Sequence, residues 1–326
     1  MATLGELFEP YSGVLFSRVA PATARGYRSA WRQRVQQSFG GVEIRTIRAF
    51  DVEKAFSSWT GEFSTKIDAF ALLSNLFKLA MKDGQLDANP CDGADLPRRP
   101  EFDPASRALT RSEIDRLLLE LPESGVYRRF VLAMLYTGCR LGEVAGLRVG
   151  DLDLVDNTIR VRRTVSPGEG GRMTVGPTKG RRTRQVPIVG PLLPLIREAM
   201  DSKGDHDYLF PGPRGGHISS KNLSRALNWH EIRDGIKTFA PEEEPLHWHD
   251  LRHTAAVLFF RFGLSAPEVQ AILGHSSLAV TQLYADMRGD AARHAAKAGT
   301  AYWAAPSEGQ LGGGDESAKL AADQGI

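Results

Sequence analysis

Residues 137–143 read Thr-Gly-Cys-Arg-Leu-Gly-Glu, and this stretch decides how the second half of the chain folds. An apolar helical pattern over residues 127–136 stops at the first glycine of the stretch, and a new helical pattern covers 140–147. An arginine that directly follows a helix break can point into a cleft, and Glu143 is spaced to orient Arg140. The alternative interpretation is a surface arginine–glutamate pair at the start of a helix.

The pattern changes from helical to extended after this stretch. Short runs at 158–165, 173–175 and 184–189 are separated by Pro, Gly and Asn, which predicts a small sheet with hairpin turns. Its basic residues are Arg160, Arg162, Arg163, Arg172, Lys179, Arg181, Arg182 and Arg184, with Glu169 as the one acid among them. Such a hairpin suits contact with a DNA backbone, although a charged edge also serves to block strand addition. The lysine lies in the turn Pro-Thr-Lys-Gly, from which it can reach into a neighbouring site.

A third feature is the stretch Leu-His-Trp-His-Asp-Leu-Arg-His at residues 246–253. His249 and Arg252 are three residues apart and share a helical face. The arginine fork matches two phosphate oxygens, and histidine can move a proton near neutral pH. His249 and His253 could instead hold zinc, but no cysteine is near and Arg252 would place a positive charge beside the metal. A helix start with internally bonded histidines is the plainer alternative.

A fourth feature is the stretch Ile-Leu-Gly-His-Ser-Ser at residues 272–277. The glycine predicts the end of a helix, so that His275 projects from a loop. Tyr284 follows nine residues later, within a helix predicted over 278–287. A helical tyrosine packed between apolar neighbours in the core is the alternative interpretation.

The first half of the chain predicts a small helical domain. One amphipathic helix with a basic flank covers residues 23–39, and a second starts at a capping box of Thr65 and Asp68 and ends near Gly84. Pro-rich and charged residues then mark a linker, and capping boxes at 110–113 and 265–268 start helices of a second domain. The predicted organisation is an N-terminal extension (1–18), a helical domain (19–97), a linker (98–107), a second domain (108–304) and a disordered tail (305–326).

Composition limits the classes of protein that fit. The 326 residues are 42% hydrophobic with a formal net charge of +2, so charge alone does not indicate a nucleic-acid binder. Cys91 and Cys139 lie far apart, which argues against a disulfide framework. The first residues do not resemble a signal peptide, and no apolar run approaches the ~20 residues of a membrane helix. We therefore expect a cytoplasmic protein with no membrane partner.

In order and spacing, the four features of the second domain resemble the catalytic domain of the tyrosine recombinases, the phage-integrase family, over about residues 108–290. The resemblance implies the catalytic residues Arg140, Lys179, His249, Arg252, His275 and Tyr284. The preceding helices are similar to the core-binding domain of the family. The expected fold is therefore mainly α with a small antiparallel β-sheet, as an α+β catalytic domain after a smaller all-α domain. Cys139 and Ala285-Asp286 depart from the common pattern, but neither position carries chemistry.

The resemblance implies a site-specific DNA recombinase or integrase, of phage or mobile-element origin. Tyr284 would be the nucleophile, and the intermediate would be a 3′-phosphotyrosine. No cofactor and no metal are expected. Expected partners are double-stranded DNA recombination sites, a homotetramer of the chain on DNA, and accessory or directionality proteins. The alternatives are a type IB topoisomerase, which shares this chemistry, and a catalytically silent DNA-binding protein.

Overall fold

The computed structural model of the protein describes residues 2–98, 105–168, 172–178, 183–237, 239, 245–275 and 281. Five α-helices precede residue 83: α1 (Leu4–Ser17), α2 (Pro21–Ala30), α3 (Gln36–Phe39), α4 (Ala49–Ser58) and α5 (Phe63–Lys82). A π-helical turn, Trp31–Val35, joins α2 to α3, so the helix predicted over 23–39 is confirmed with a local widening. The apolar residues of these helices form one hydrophobic cluster.

The first helix was not predicted, because residues 1–18 were interpreted as an extension and the first helix was placed near residue 23. Leu4, Phe8 and Leu15 of α1 are buried in the same cluster as the helices that follow. The ring of Phe8 stacks on Trp31 with centroids 3.8 Å apart. Pro10 and two glycines within α1 weaken its local helix signal, and packing against the core outweighs that weakness.

The start of α5 also differs from the prediction. The helix begins at Phe63 with Glu62 as its N-cap, so the predicted capping box of Thr65 and Asp68 is wrong. The Thr65 hydroxyl donates to the Glu62 carbonyl at 2.8 Å and accepts from Arg34 Nη2 at 3.0 Å, so tertiary contacts use it. Gly84 follows the helix in the left-handed region, at φ +72°, as its predicted role at the helix end requires.

Residues from 105 onward form a mixed α and β region. Its helices are α6 (Arg111–Glu120), α7 (Val126–Thr137), α8 (Leu141–Val144), α9 (Leu193–Met200), α10 (Ser220–Ala226), α11 (Trp229–Ile236), α12 (Asp250–Arg261) and α13 (Ala266–Leu273). The capping boxes of Thr110–Glu113 and Ser265–Glu268 are confirmed. Asn228, at φ +51°, separates α10 from α11. The predicted helix over 278–287 lies outside the described residues apart from Thr281, which is helical.

The described residues form two small antiparallel sheets in the region where the sequence predicted one. The strands are β1 (Leu152–Asp153), β2 (Thr158–Val161), β3 (Arg163–Pro167), β4 (Met173–Pro177) and β5 (Arg184–Pro187). The first sheet has the order β1-β2-β5, and β3 pairs with β4 alone. The extended run breaks at Arg162, where the guanidinium groups of Arg162 and Arg163 both bind the buried carboxylate of Asp151. The predicted fold class, mainly α with small antiparallel β-structure, is confirmed.

The cores of the two halves are separate in sequence. One hydrophobic cluster spans Leu4 to Cys91, and two others lie between Ala105 and Leu273. The domain limits derived from the sequence stay a prediction, and most of the linker and the whole of the tail lie outside the described residues. Within the described ranges, no helix combines the length and the apolar character needed to cross a membrane.

Candidate active site

Arg140 lies at the junction of α7 and α8. Gly138 ends α7 in the left-handed region at φ +65°, and Arg140 is the N-cap of α8. The backbone N–H of Arg140 donates to Glu143 Oε2 at 2.8 Å, and its Nη1 donates to Oε1 at 3.1 Å. The expected orientation of Arg140 by Glu143 is confirmed. The arginine side chain remains 30% exposed while the glutamate side chain is only 1% exposed, so the guanidinium is accessible from solvent.

Both glycines of the 137–143 stretch permit close packing around Arg140. A Cβ on Gly142 would lie 2.3 Å from the Val165 carbonyl oxygen of β3. A Cβ on Gly138 would lie 2.4 Å from Leu273 Cδ2 at the end of α13. Neither distance is sterically allowed for a carbon atom. The two glycines therefore let the arginine-bearing junction lie directly against β3 on one side and α13 on the other.

Arg252 lies on α12, and its side chain reaches the same junction. Its Nη1 donates to the Gly138 carbonyl at 2.8 Å, and its Nη2 donates to the Leu273 carbonyl at 2.6 Å. The residue is 2% exposed, and within the described part of the chain no carboxylate pairs with it. Burial and the positive charge of Arg140 lower its pKa to about 10, so it still carries its charge at neutral pH.

The predicted histidines stand around these arginines. His249 precedes α12, and His275 follows Gly274, which ends α13 at φ +67°. Burial and the positive charges of Arg252 and Arg140 lower the pKa of His249 to about 4 and that of His275 to about 3. Both imidazoles are therefore neutral at pH 7. A ring nitrogen of His275, Nδ1, lies 2.9 Å from the Thr281 hydroxyl.

The structure thus brings four of the six predicted catalytic residues together. Arg252 binds the carbonyls of Gly138 and Leu273, which precede Arg140 and His275 by two residues each, and His249 lies one helical turn before Arg252. Lys179 and Tyr284 lie outside the described residues. The zinc alternative finds no support among the described residues, which contain no group of three or more His, Cys, Asp or Glu side chains able to hold a metal ion.

One residue of the site was assigned differently from sequence. Arg184 was grouped with the basic residues of a DNA-contacting hairpin, but its side chain is 9% exposed and its Nη1 and Nη2 bind Glu143 Oε1 and Oε2 at 2.9 and 2.7 Å. The alternation of side chains along a strand could have identified Arg184 as facing the interior, because Arg184 shares a face of β5 with the buried Val186. Arg162 and Arg163 likewise bind an internal carboxylate.

Comparison with known proteins agrees with this arrangement. The model of the "Phage integrase family" matches residues 107–289. A Mycobacterium tuberculosis relative, named as an integrase of the prophage phiRv2, is 28% identical over 284 residues, which are 84% of this chain and 70% of that protein. A relative from Herpetosiphon aurantiacus, "Tyrosine recombinase XerC", is 29% identical over 235 residues, with 68% of this chain and 69% of that protein covered.

Solved structures share the fold. The Tn1549 transposon integrase in complex with a circular intermediate DNA superposes with a TM-score of 0.71 at 19% identity, covering 91% of this chain and 100% of that chain. A lambda integrase tetramer bound to a Holliday junction gives a TM-score of 0.64 at 18% identity, covering 88% of this chain and 78% of that chain. The family model and the named relatives define the class of tyrosine-type site-specific recombinases. Since the family model spans more than half of the sequence, the chain belongs to the phage integrase family.

Proposed function

We propose that this recombinase cuts and rejoins duplex DNA through a covalent bond between Tyr284 and a 3′ phosphate. The observation that carries the proposal is the charge around Arg140 and Arg252. Among the described residues, Arg140 and Arg184 share the carboxylate of Glu143, Arg252 binds backbone carbonyls instead of a carboxylate, and His249 and His275 are neutral. The site therefore holds an excess of positive charge in a partly buried cleft, which suits a phosphodiester anion.

Arg140 and Arg252 act as donors to the non-bridging oxygens of the scissile phosphate. The fork of Arg252 is already fixed by two carbonyls, and Arg140 is fixed by Glu143, so little reorganisation accompanies the reaction. Preorganised donors of this kind stabilise the charge that develops in the transition state, and loss of one typically costs ~3 kcal/mol. This electrostatic contribution takes the place that a metal ion holds in other phosphoryl-transfer sites.

The proposed reaction is a transesterification at phosphorus. The phenolic oxygen of Tyr284 bonds to the phosphorus while the bond from phosphorus to the 5′ oxygen breaks. Lys179 protonates the leaving 5′ oxygen, and His249 accepts the proton of the tyrosine, a role that its neutral imidazole allows. His275 hydrogen-bonds a non-bridging oxygen. Because the phenol is a better leaving group than an alkyl alcohol, a 5′-hydroxyl of another strand can reverse the bond without an external energy source.

The partners follow from the same chemistry. Exchange of strands between two sites needs four tyrosines, so we propose that four copies of the chain assemble on two double-stranded DNA sites. The lambda integrase tetramer on a Holliday junction supports such an assembly for this fold. The names of a prophage relative and a transposon integrase support an origin in a phage or mobile element. Accessory or directionality proteins are proposed as further partners.

A trapped covalent complex tests the proposal. The protein is incubated with a nicked duplex that carries DNA from the flanks of its gene, and a denaturing gel detects the adduct. We expect an adduct with the native chain and none with Tyr284→Phe, whose ring lacks the attacking oxygen. Strand relaxation of supercoiled plasmid lacking the site would favour the topoisomerase alternative. Absence of any adduct on DNA that the protein binds would overturn the proposal in favour of a catalytically silent binder.

A further inference from the structure

Arg184 connects the segments that carry the catalytic groups. It begins β5, opposite Val161 of β2, immediately after the residues 179–182 that include Lys179. Its side chain leaves the sheet toward Glu143 of α8, as described above, and its Nε donates to the Ile272 carbonyl of α13 at 2.7 Å. One buried guanidinium thus joins β5, α8 and the end of α13.

The packing around this side chain is tight. A Cβ on Gly274 would lie 2.9 Å from Arg184 Cδ and 3.2 Å from its Nε. A glycine is therefore required at position 274 for two reasons. Its backbone is left-handed at φ +67°, and the absence of a side chain leaves space for Arg184. His275 comes next in the chain. The position of the His275 loop consequently depends on the path of the Arg184 side chain.

Glu143 is shared between two arginines. Its Oε1 accepts from Arg140 and Arg184, and its Oε2 accepts from the Arg140 backbone N–H and from Arg184. Arg184 makes a bidentate ion pair with Glu143, whereas the Arg140 guanidinium gives it a single bond at 3.1 Å. Among the described residues, this bond to Glu143 is the one hydrogen bond of the Arg140 guanidinium.

We propose that Arg184 is a positioning residue that sets the charge of the active site, by binding the Glu143 carboxylate and so leaving the positive charge of Arg140 for the scissile phosphate. This inference rests on the proposed phosphotyrosine chemistry. Without Arg184, the buried Glu143 carboxylate would have Arg140 as its nearest cation, and the two side chains would bind each other. This ion pair would neutralise Arg140, one of the two arginines proposed to bind phosphate, and would turn its N–H donors away from the phosphate.

A second substitution, at Glu143, distinguishes a role of Arg184 in the charge of the site from a role in folding alone. Arg184→Gln leaves Glu143 to neutralise Arg140, so single-turnover cleavage of nicked site DNA falls by about 100-fold, the size of loss typical for one preorganised donor. Adding Glu143→Gln removes the carboxylate and restores the charge of Arg140, while its amide oxygen still accepts a hydrogen bond. We therefore expect the double variant to cleave at least 10-fold faster than Arg184→Gln. A role in folding alone predicts that the double variant is no better than the single one.

DNA affinity distinguishes this role from direct contact with DNA. Each phosphate contact contributes roughly 0.9 to the slope of log affinity against log salt. If Arg184 acts through Arg140, Arg184→Gln should lower that slope by about one and the double variant should restore it, whereas direct contact of Arg184 with DNA would leave the slope lowered in both variants. Arg197→Gln, an exposed arginine on α9, is the matched control and should leave cleavage unchanged. Thermal melting verifies that each variant is folded, and Arg184→Lys provides a second variant that keeps the charge if the glutamine variant does not fold.

The outcomes separate the two proposals. A native protein that forms no adduct refutes the phosphotyrosine chemistry itself, before Arg184 is tested. If the native adduct forms, recovery of both the cleavage rate and the salt slope in the double variant supports the role of Arg184. No recovery of cleavage in the folded double variant, or a slope that stays lowered by about one in it, overturns that role. If Arg184→Gln does not fold, cleavage by Arg184→Lys within 10-fold of the native rate supports the role, and a larger loss overturns it.

Discussion

The substitution Arg252→Lys separates the charge of this residue from the geometry of its fork. The two guanidinium nitrogens lie 2.8 and 2.6 Å from the carbonyls of Gly138 and Leu273. A lysine keeps one positive charge, but its single nitrogen cannot hold both carbonyls and also face a phosphate in a fixed plane. We therefore expect the charge to remain in the site while the preorganised donor geometry is lost.

The magnitude follows from two separate costs. One buried carbonyl left without a donor lowers the free energy of unfolding by ~1–3 kcal/mol. Loss of a preorganised donor to the developing negative charge raises the barrier by ~3 kcal/mol, which is roughly a 100-fold slower cleavage step. DNA affinity should change little, because the net charge of the site is the same.

Urea unfolding and single-turnover cleavage of a nicked site measure these two costs. Arg261→Lys, at the exposed last residue of the same helix, is the matched control and should resemble the native protein in both assays. Cleavage by Arg252→Lys within about 3-fold of the native rate would refute the reasoning, since ~3 kcal/mol is expected from the lost fork. That result would mean that the charge alone, without the fork, suffices.

Three further predictions concern the surroundings of the site. Gly142→Ala places a Cβ 2.3 Å from the Val165 carbonyl oxygen, so a urea titration should show ~1–3 kcal/mol of destabilisation and cleavage should slow as Arg140 shifts; native-like values would contradict the packing. Arg107→Met leaves the buried Asp250 carboxylate without its ion pair at 2.6 Å, and chemical denaturation should show a loss of ~3–5 kcal/mol, whereas a loss below 1 kcal/mol would mean that the pair contributes little. Burial and the charge of the neighbouring His249 lower the pKa of His253 to about 4, below its unfolded value near 6.5. The unfolded chain therefore takes up the proton first, and stability that is complete above pH 6.5 should fall by roughly 3 kcal/mol toward pH 4. His253→Gln should reduce that pH dependence, and an unchanged profile would contradict the assignment.

Local signals in the sequence were sufficient for many of the elements. The capping boxes at Thr110 and Ser265 and the helix end at Gly138 depend on hydrogen bonds and backbone angles within three or four residues, and each was predicted correctly. The pairing of Arg140 with Glu143 is of the same kind, because one turn of helix holds both residues. Interactions of short range are visible in sequence because their geometry is fixed by the local backbone.

Assignments failed where a distant partner decides the outcome. α1 contains a proline and glycines and is stable because its apolar face packs on α5 and on Trp31 of the π-helical turn. Thr65 has the spacing of an N-cap, but the carbonyl of Glu62 and the side chain of Arg34 occupy its hydroxyl. The extended run at 158–165 is divided between strands of two sheets at the point where Arg162 and Arg163 both bind the Asp151 carboxylate.

The sequence by itself determined the order and the chemical types of the predicted catalytic residues, because these follow from residue identity and spacing along the chain. Only the tertiary structure decided what each group contacts. Arg252 binds carbonyls that are 114 and 21 residues away, and Arg184 binds a carboxylate 41 residues away. Spacing in sequence carries no information on such pairs, since they form only when packing closes the loops between them. For this reason Arg184 looks like a surface residue of a basic hairpin in the sequence and is a buried ion-pair partner in the fold.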